Sequence, residues 1–313
     1  MVVTCSELEE RRLREVPTLT SPAGGNRIGE YLRARRQLVR PADVGLHSIG
    51  RRRVPGLRRE ELAMLAGISS DYYLRLEQGR DQHPSEQVLD ALAQALQLND
   101  DAVAHLYSLA RPTPRRGRAR QRSDRVPTGV QQLLASWSHM PAYIHNRYMD
   151  VLAANPLATA LSPFFAPGMN IVRIHFLEPA VRELLLDWEA MGANAVAQLR
   201  SIVSSDFESP RLIQLVGELS VRSERFRRLW ARHDVCTLQG GTAALNHPQV
   251  GPLELRYDKF AVGAADGQVL VVYHAEPDSA SARALAQLAH IAAARTQPDV
   301  PVRIGTSRKR VLS

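Results

Sequence analysis

Along residues 27–39, RIGEYLRARRQLV, the apolar positions Ile28, Leu32 and Val39 recur at helical spacing against an arginine-bearing back. This predicts an amphipathic helix that Pro41 ends. A loop rich in Gly and Arg, 41–57, has no periodicity. Two short helical patterns then meet at Gly67 within ELAMLAGISSDYYLRLEQGR, residues 61–80. Ser85 is placed to cap residues 85–98, where Val88, Leu89, Leu92, Leu96 and Leu98 form an apolar face. Asn99 opens a further helix with acids in its first turn. The pattern predicts an all-α head of five short helices over 27–110, preceded by a flexible lead, 1–26.

Residues 111–126, RPTPRRGRARQRSDRV, are aperiodic and read as a basic linker, either solvated or touching DNA backbone. From 127 the pattern changes. Helical runs at 128–138, 156–166, 178–203, 209–232 and 278–294 alternate with strand-like runs at 142–153, 241–247, 252–262 and 268–276. The first strand run turns near Asn146–Arg147, and Asp266–Gly267 is a hairpin signal. Leu253, Leu255, Tyr257 and Phe260 read as alternating apolar positions on one strand. The prediction is an α+β domain over 127–294 with an antiparallel sheet of about five strands, then a tail, 295–313.

Composition narrows the class. The 313 residues suit two domains, and no apolar run approaches the roughly 20 residues that cross a bilayer. The charged N-terminus is not a secretory signal, and Cys5 and Cys236 alone make neither a disulfide framework nor a multi-cysteine metal site. A reduced, cytoplasmic protein with no cofactor and no membrane partner is the expectation. Net charge is +8, and its placement matters: residues 1–125 hold 22 basic against 16 acidic residues. Residues 27–59 carry ten arginines and 111–125 carry seven, while Lys259 and Lys309 are the only lysines. Arginine binds phosphate bidentately and stays ionised, which directs attention to nucleic acid.

The pair of helices around Gly67 meets the demands of a helix-turn-helix. Gly67 supplies the positive φ of the turn, Ala63 and Ala66 allow close helix contact, and Ile68 plugs the gap. Ser69 can cap the second helix, on which Tyr73 and Leu76 point inward with Ile68. Ser70, Asp71, Tyr72 and Arg75 then face outward at the end where base edges are read. Leu74 also faces outward, either against a thymine methyl or idle.

With these residues in view, PGLRREELAMLAGISSDYYLRLEQGR (55–80) and PSEQVLDALAQALQLNDDAVAHLYSLARP (84–112) resemble the lambda-repressor-like, or XRE-type, helix-turn-helix regulators. They resemble in particular the branch with an MmyB-like C-terminal ligand-binding domain. NRYMDVLAANPLA (146–158), DWEA (187–190), VGELSVRSERFRRLWARHDV (216–235), HPQVGPLELRY (247–257) and VVYHAEP (271–277) carry the resemblance through the second half. It implies a five-helix DNA-binding domain followed by a PAS-like sensor domain, in a one-component transcription regulator with a fatty-acid-like ligand. Carried over by position, the reading helix is Ser69–Gln78, with base contacts on Ser70, Asp71 and Arg75 and with Tyr72 near backbone or a thymine methyl. Arg75 suits a guanine; Asp71 either accepts from a cytosine amino group or buttresses Arg75. Arg58, Arg59 and Arg80 are the phosphate candidates, and the arginine-bearing loop 46–56 is either solvated or a further DNA contact.

The second half has no HExxH, GxSxG, phosphate loop or GxGxxG motif, so an enzyme is not expected. His233–Asp234 looks catalytic, but neighbours on a helix end point apart; His233 reads as a helix C-terminal charge. Candidate ligand-facing residues are Tyr143, Phe164, Phe165, Trp188, Phe226, Trp230 and Tyr257, with Arg228 or Arg232 for a carboxylate. Three functions follow in order: a homodimeric effector-binding regulator on a near-palindromic operator, a repressor whose second half only dimerises, and a regulator–enzyme fusion.

Overall fold

The computed structural model describes residues 26–46, 54–81, 83–110, 124–202, 209–236, 240–263 and 267–296. The expectations for the lead before residue 26, for Arg51–Arg53 in the loop, for the linker up to residue 123, for Asp266 and for the tail from residue 297 lie outside them.

The head has helices and no strand among its described residues. Helix α1 (Arg27–Leu38) starts where Asn26 Oδ1 accepts from the Gly29 amide at 3.0 Å, and a 3-10 turn at Pro41–Val44 follows it. Then come α2 (Arg59–Leu65), α3 (Ser70–Glu77), α4 (Glu86–Ala95) and α5 (Asp100–Ala110). Ser85 and Asn99 cap α4 and α5 through Oγ and Oδ1, at 3.4 and 3.0 Å from the Val88 and Ala102 amides. Tyr31, Leu32, Leu57, Leu62, Tyr73, Leu76, Leu92 and Leu106 are sealed from solvent and form one core. Gly29 is where α1 crosses the end of α3: a β-carbon there would lie 2.5 Å from the Glu77 carbonyl oxygen.

One ion-pair triad threads this core. Arg36 on α1 and Arg59 on α2 each donate from Nε to the Glu77 carboxylate on α3, both at 2.7 Å. Arg36 also donates to the Leu57 carbonyl at 2.6 Å. Burial alone would raise the Glu77 pKa; the two arginine hydrogen bonds outweigh it and hold the carboxyl below its ordinary value.

The second domain is α+β around a five-stranded antiparallel sheet of order β2-β1-β5-β4-β3. Helix α6 (Thr128–Ser136) precedes β1 (Ala142–His145) and β2 (Val151–Ala154). The turn between these strands is held by the Asn146 side chain, whose Oδ1 accepts from the amides of Tyr148 and Asp150. Next are α7 (Pro156–Leu161), α8 (Ile171–Leu177), α9 (Ala180–Leu184), α10 (Trp188–Ile202), α11 (Pro210–Arg222) and α12 (Glu224–Ala231). Strands β3 (Gly241–His247), β4 (Gly251–Ala261) and β5 (Val269–His274) precede α13 (Ala280–Thr296). The central strand β5 is covered on both faces. Leu270 and Val272 pack with Ile144 and the α6 residue Leu134; Val269, Val271 and Tyr273 pack on the other side with Leu157, Leu161, Leu285 and Leu288. A third cluster, centred on Leu199, Leu219 and Phe226, binds α8 and α10–α12 together.

Three long helical predictions break. The run 178–203 is interrupted because the chain extends at Leu185–Leu186 to bond the edge strand β3, with the Leu186 amide donating to the Ala244 carbonyl at 2.9 Å. The run 209–232 breaks at Ser223, which is extended and caps α12 at Phe226, 3.2 Å away. The run 156–166 ends at Ser162, whose Oγ accepts from the Phe164 amide to open a 3-10 turn.

Replacing Glu77 by Ala strands the buried Arg36 charge and should lower head stability by about 3–5 kcal/mol, measured by chemical denaturation. Because the folded-state pKa of Glu77 is depressed, its contribution is present above the ordinary carboxylate range. It is lost as pH falls through the lower folded value, so the deficit of Glu77→Ala should shrink on acidification.

Candidate functional site

The turn between α2 and α3 is local chemistry. Gly67 adopts φ 64°, and a β-carbon there would touch nothing, so conformation rather than space demands the glycine. The Ile68 amide donates to the Ala63 carbonyl at 3.0 Å, closing α2. Ser69 Oγ then accepts from the Tyr72 amide at 3.1 Å and starts α3. Tyr73 and Leu76 are buried, which turns Ser70, Asp71 and Arg75 to solvent, while Tyr72 and Leu74 are half-buried. The Arg75 guanidinium lies 5.6 Å from the Tyr72 ring centroid. At the far end Gly79, φ 71°, ends α3 and the Arg80 amide donates to the Arg75 carbonyl, leaving the Arg80 side chain exposed.

Between α1 and the start of α2 runs a groove of about 680 Å³, lined among others by Arg33, Arg36, Arg58 and Arg59 with Val54–Leu57 as its wall. Arg58 is exposed at the start of α2, its amide donating to the Glu61 carboxylate. Arg59 divides its role: one nitrogen holds Glu77 while the side chain stays 45% exposed. Arg33, exposed on α1, joins the groove although the sequence reading passed over it.

In the second domain the ligand-facing candidates fall into separate groups. Tyr143 stacks on Phe165 at 4.6 Å, Phe165 on Tyr273 at 5.7 Å, and Tyr273 lies 5.6 Å from Tyr257. Phe164 packs against the same core. Phe226 and Trp230 stack at 5.7 Å in the helical layer instead. Trp188 stacks on His175 and is flanked by the guanidinium groups of Arg182 and Arg225, 4.2 and 3.8 Å from its ring. Arg228 and Arg232 face outward: their side chains are 73% and 53% exposed and pair with Glu224 and Asp234. The strand parity also shifts. Phe260 is 53% exposed, and Lys259 takes the inward place after Tyr257.

A family model described as the MmyB-like transcription regulator ligand binding domain matches residues 126–288, just over half of the chain. The chain belongs to this family. A helix-turn-helix domain model matches residues 27–106, which covers α1 through most of α5. Comparison with curated proteins finds no match. An MmyB-like transcription regulator thus combines a helix-turn-helix DNA-binding head with a ligand-binding domain, and these are a regulator's domains. Among the described residues no helix is long and apolar enough to cross a membrane, and no His, Cys, Asp and Glu cluster has the make-up of a metal site.

The two domains of this MmyB-like regulator meet at a polar seam. Arg35 on α1 donates to Asp234 at 2.6 Å, and Arg232 holds the other Asp234 oxygen at 2.8 Å. The Tyr31 ring meets His105 edge-on at 5.1 Å and His233 at 6.4 Å. Behind them Arg200, 4% exposed, donates to the Trp230 carbonyl and approaches His233 Nδ1 at 3.2 Å. A guanidinium has no acceptor, so His233 Nδ1 accepts and the imidazole is neutral. His233 is therefore not the helix C-terminal charge the sequence suggested. Burial, then Arg200, lowers its pKa to about 3, and the same two causes lower His105 to about 4.

Both folded-state values lie below the ordinary histidine value, so their contribution is fully present above pH about 6.5 and is lost as pH falls toward the folded values. Acidification from pH 7 to about 4.5 should loosen the seam. Small-angle scattering should then record a larger radius of gyration, and an unchanged radius would contradict the buried neutral pair.

Proposed function

We propose that the protein is a cytoplasmic, homodimeric, sequence-specific regulator whose second domain, of PAS-like form, holds a small apolar or fatty-acid-like effector. The division is that of the sequence pattern, with the head at 27–110 and the effector domain at 127–294 joined by the basic linker 111–126. The observation that carries the reading is the polar N-terminal half of α3, set on a buried frame, in a chain whose other half matches a ligand-binding domain.

In this reading α3 enters the major groove of an operator with two half-sites. Ser70, Asp71 and Arg75 meet base edges, Tyr72 and the capping Ser69 lie at the backbone, and Arg58, Arg59 and Arg80 hold phosphates, with Arg33 added by the groove. The stacked Tyr143–Phe165–Tyr273–Tyr257 rings support an apolar ligand against the inward face of the sheet. Phe164 borders that place, while Phe226 and Trp230, and Trp188 through its stack on His175, belong to the helical layer that relays its occupancy. The seam of Arg35, Asp234 and His233 supports transmission to α1. An effector switches the protein only if it favours one arrangement of the two heads over another.

Arg75→Ala should weaken binding to a selected operator by about 1–3 kcal/mol and relax preference at one base position. Arg58→Ala should weaken binding to all sequences alike and flatten the salt dependence. Selection from random DNA followed by fluorescence anisotropy reads both; unchanged affinity and preference for Arg75→Ala would displace α3 from the reading role. Native mass spectrometry of the purified chain, followed by denaturing extraction, should find a dimer carrying one apolar molecule per subunit. A dimer without added mass would favour a second domain that only dimerises.

A further inference from the structure

We propose that Tyr72 is a positioning residue: its ring holds the Arg75 guanidinium in place for a base edge and so sharpens the choice of base there. This role rests on α3 as the reading helix, as proposed above, and names a residue that sets its specificity.

The ring is itself fixed. Tyr72 is half-buried and packs against the core of the head. It stands one turn before Arg75 on α3, the spacing at which two helical side chains meet. The Arg75 backbone is held as well. Its carbonyl accepts from the Arg80 amide at 2.9 Å and the Asp81 amide at 3.4 Å, where the chain closes α3. The exposed Arg75 side chain thus has a fixed root, and only its tip needs locating. That tip lies over the Tyr72 ring, 5.6 Å from the centroid. Among the described residues no hydrogen bond or ion pair draws it elsewhere.

The competing brace is the carboxylate of Asp71, four residues before Arg75 on the same helix. That spacing suits an ion pair, yet among the described residues none joins the two. The difference matters for base reading. A carboxylate would occupy guanidinium N–H groups and neutralise the charge. A ring face attracts the cation without accepting from its in-plane donors, so the fork stays open for guanine O6 and N7. An arginine already located also has less rotamer freedom to lose when it locks onto a base. Asp71, exposed, keeps its own acceptors for a base. The side chain of Tyr72 is separable from the fold of α3, because the Ser69 cap uses the Tyr72 amide and not its ring.

The test uses the full chain, an operator selected from random DNA and its single-base variants, read by fluorescence anisotropy. Arg75→Ala first locates the base position that Arg75 reads, through a loss of discrimination there of about tenfold. At that position Tyr72→Leu should lower discrimination about threefold or more, with the other positions unchanged. Tyr72→Phe keeps the ring and should stay within about 1.5-fold of the wild type there, whatever the lost hydroxyl does to overall affinity. In the Arg75→Ala background, Tyr72→Leu should change nothing further at that position, because the group it positions is gone. Circular dichroism checks the fold of each variant; if the Leu variant does not fold, Tyr72→Met takes its place. Unchanged discrimination in the variant without a ring would overturn the positioning role while leaving α3 as the reading helix. Equal losses at every position, or a loss in Tyr72→Phe as large as in Tyr72→Leu, would overturn it in the same way. If Arg75→Ala relaxes no position, the reading-helix assignment and the positioning role fall together.

Discussion

A single carboxylate fixes the second helix of the helix-turn-helix. Glu77 closes α3, is almost fully buried, and receives Arg36 from α1 and Arg59 from α2. Three helices are thereby held in one register by charge-assisted hydrogen bonds whose loss would leave charge buried. Orientation matters more here than stability. Burial of Tyr73 and Leu76 fixes which side of α3 points inward, and the triad fixes where α3 ends. What remains outside is the short polar face from Ser70 to Arg75. Arg59 reaches from this triad to the arginine-lined groove, so the same residue that braces the head also borders that groove.

The second constraint is the position of α10. Gln198 and Arg200, two residues apart on that helix, serve different surroundings. Gln198 meets Lys259 over the sheet, while Arg200 meets Trp230 and His233 beneath the head. His233 then touches Tyr31 of α1, and its neighbour Asp234 holds Arg35 on the same helix. Displacement of α10 by an occupant of the sheet face would disturb both Arg200 contacts at once. Packed interiors pass such shifts on because they have little room to absorb them.

Much of the head was legible because its determinants are local. Gly67 signals its positive φ, Ser69, Ser85 and Asn99 signal caps, and the 3.6-residue period separates Tyr73 and Leu76 from Arg75. The second domain was legible in class and in most strand positions, for period-2 alternation is also local. Long-range pairing was not. Leu185–Leu186 leave helical geometry to satisfy an edge strand almost 60 residues away in the chain, which helical periodicity does not encode. Counting Phe260 with the inward positions of β4 hid Lys259, although strict alternation from Leu253 would have exposed it. Arg228 and Arg232 drew attention by proximity to Trp230, while the arginine that enters the interior, Arg200, comes from a different helix. His233 was judged against its sequence neighbour, whereas its state is set by Arg200, 33 positions earlier.

The central claim is that occupancy of the second domain is read out at the DNA-binding head. The most direct measurement is the affinity of the full chain for its selected operator, by fluorescence anisotropy at fixed salt, with and without saturating cis-parinaric acid. The account predicts a change of about fivefold or more in either direction, the size of an ordinary coupling between two sites. Identical affinities at demonstrated saturation would contradict it.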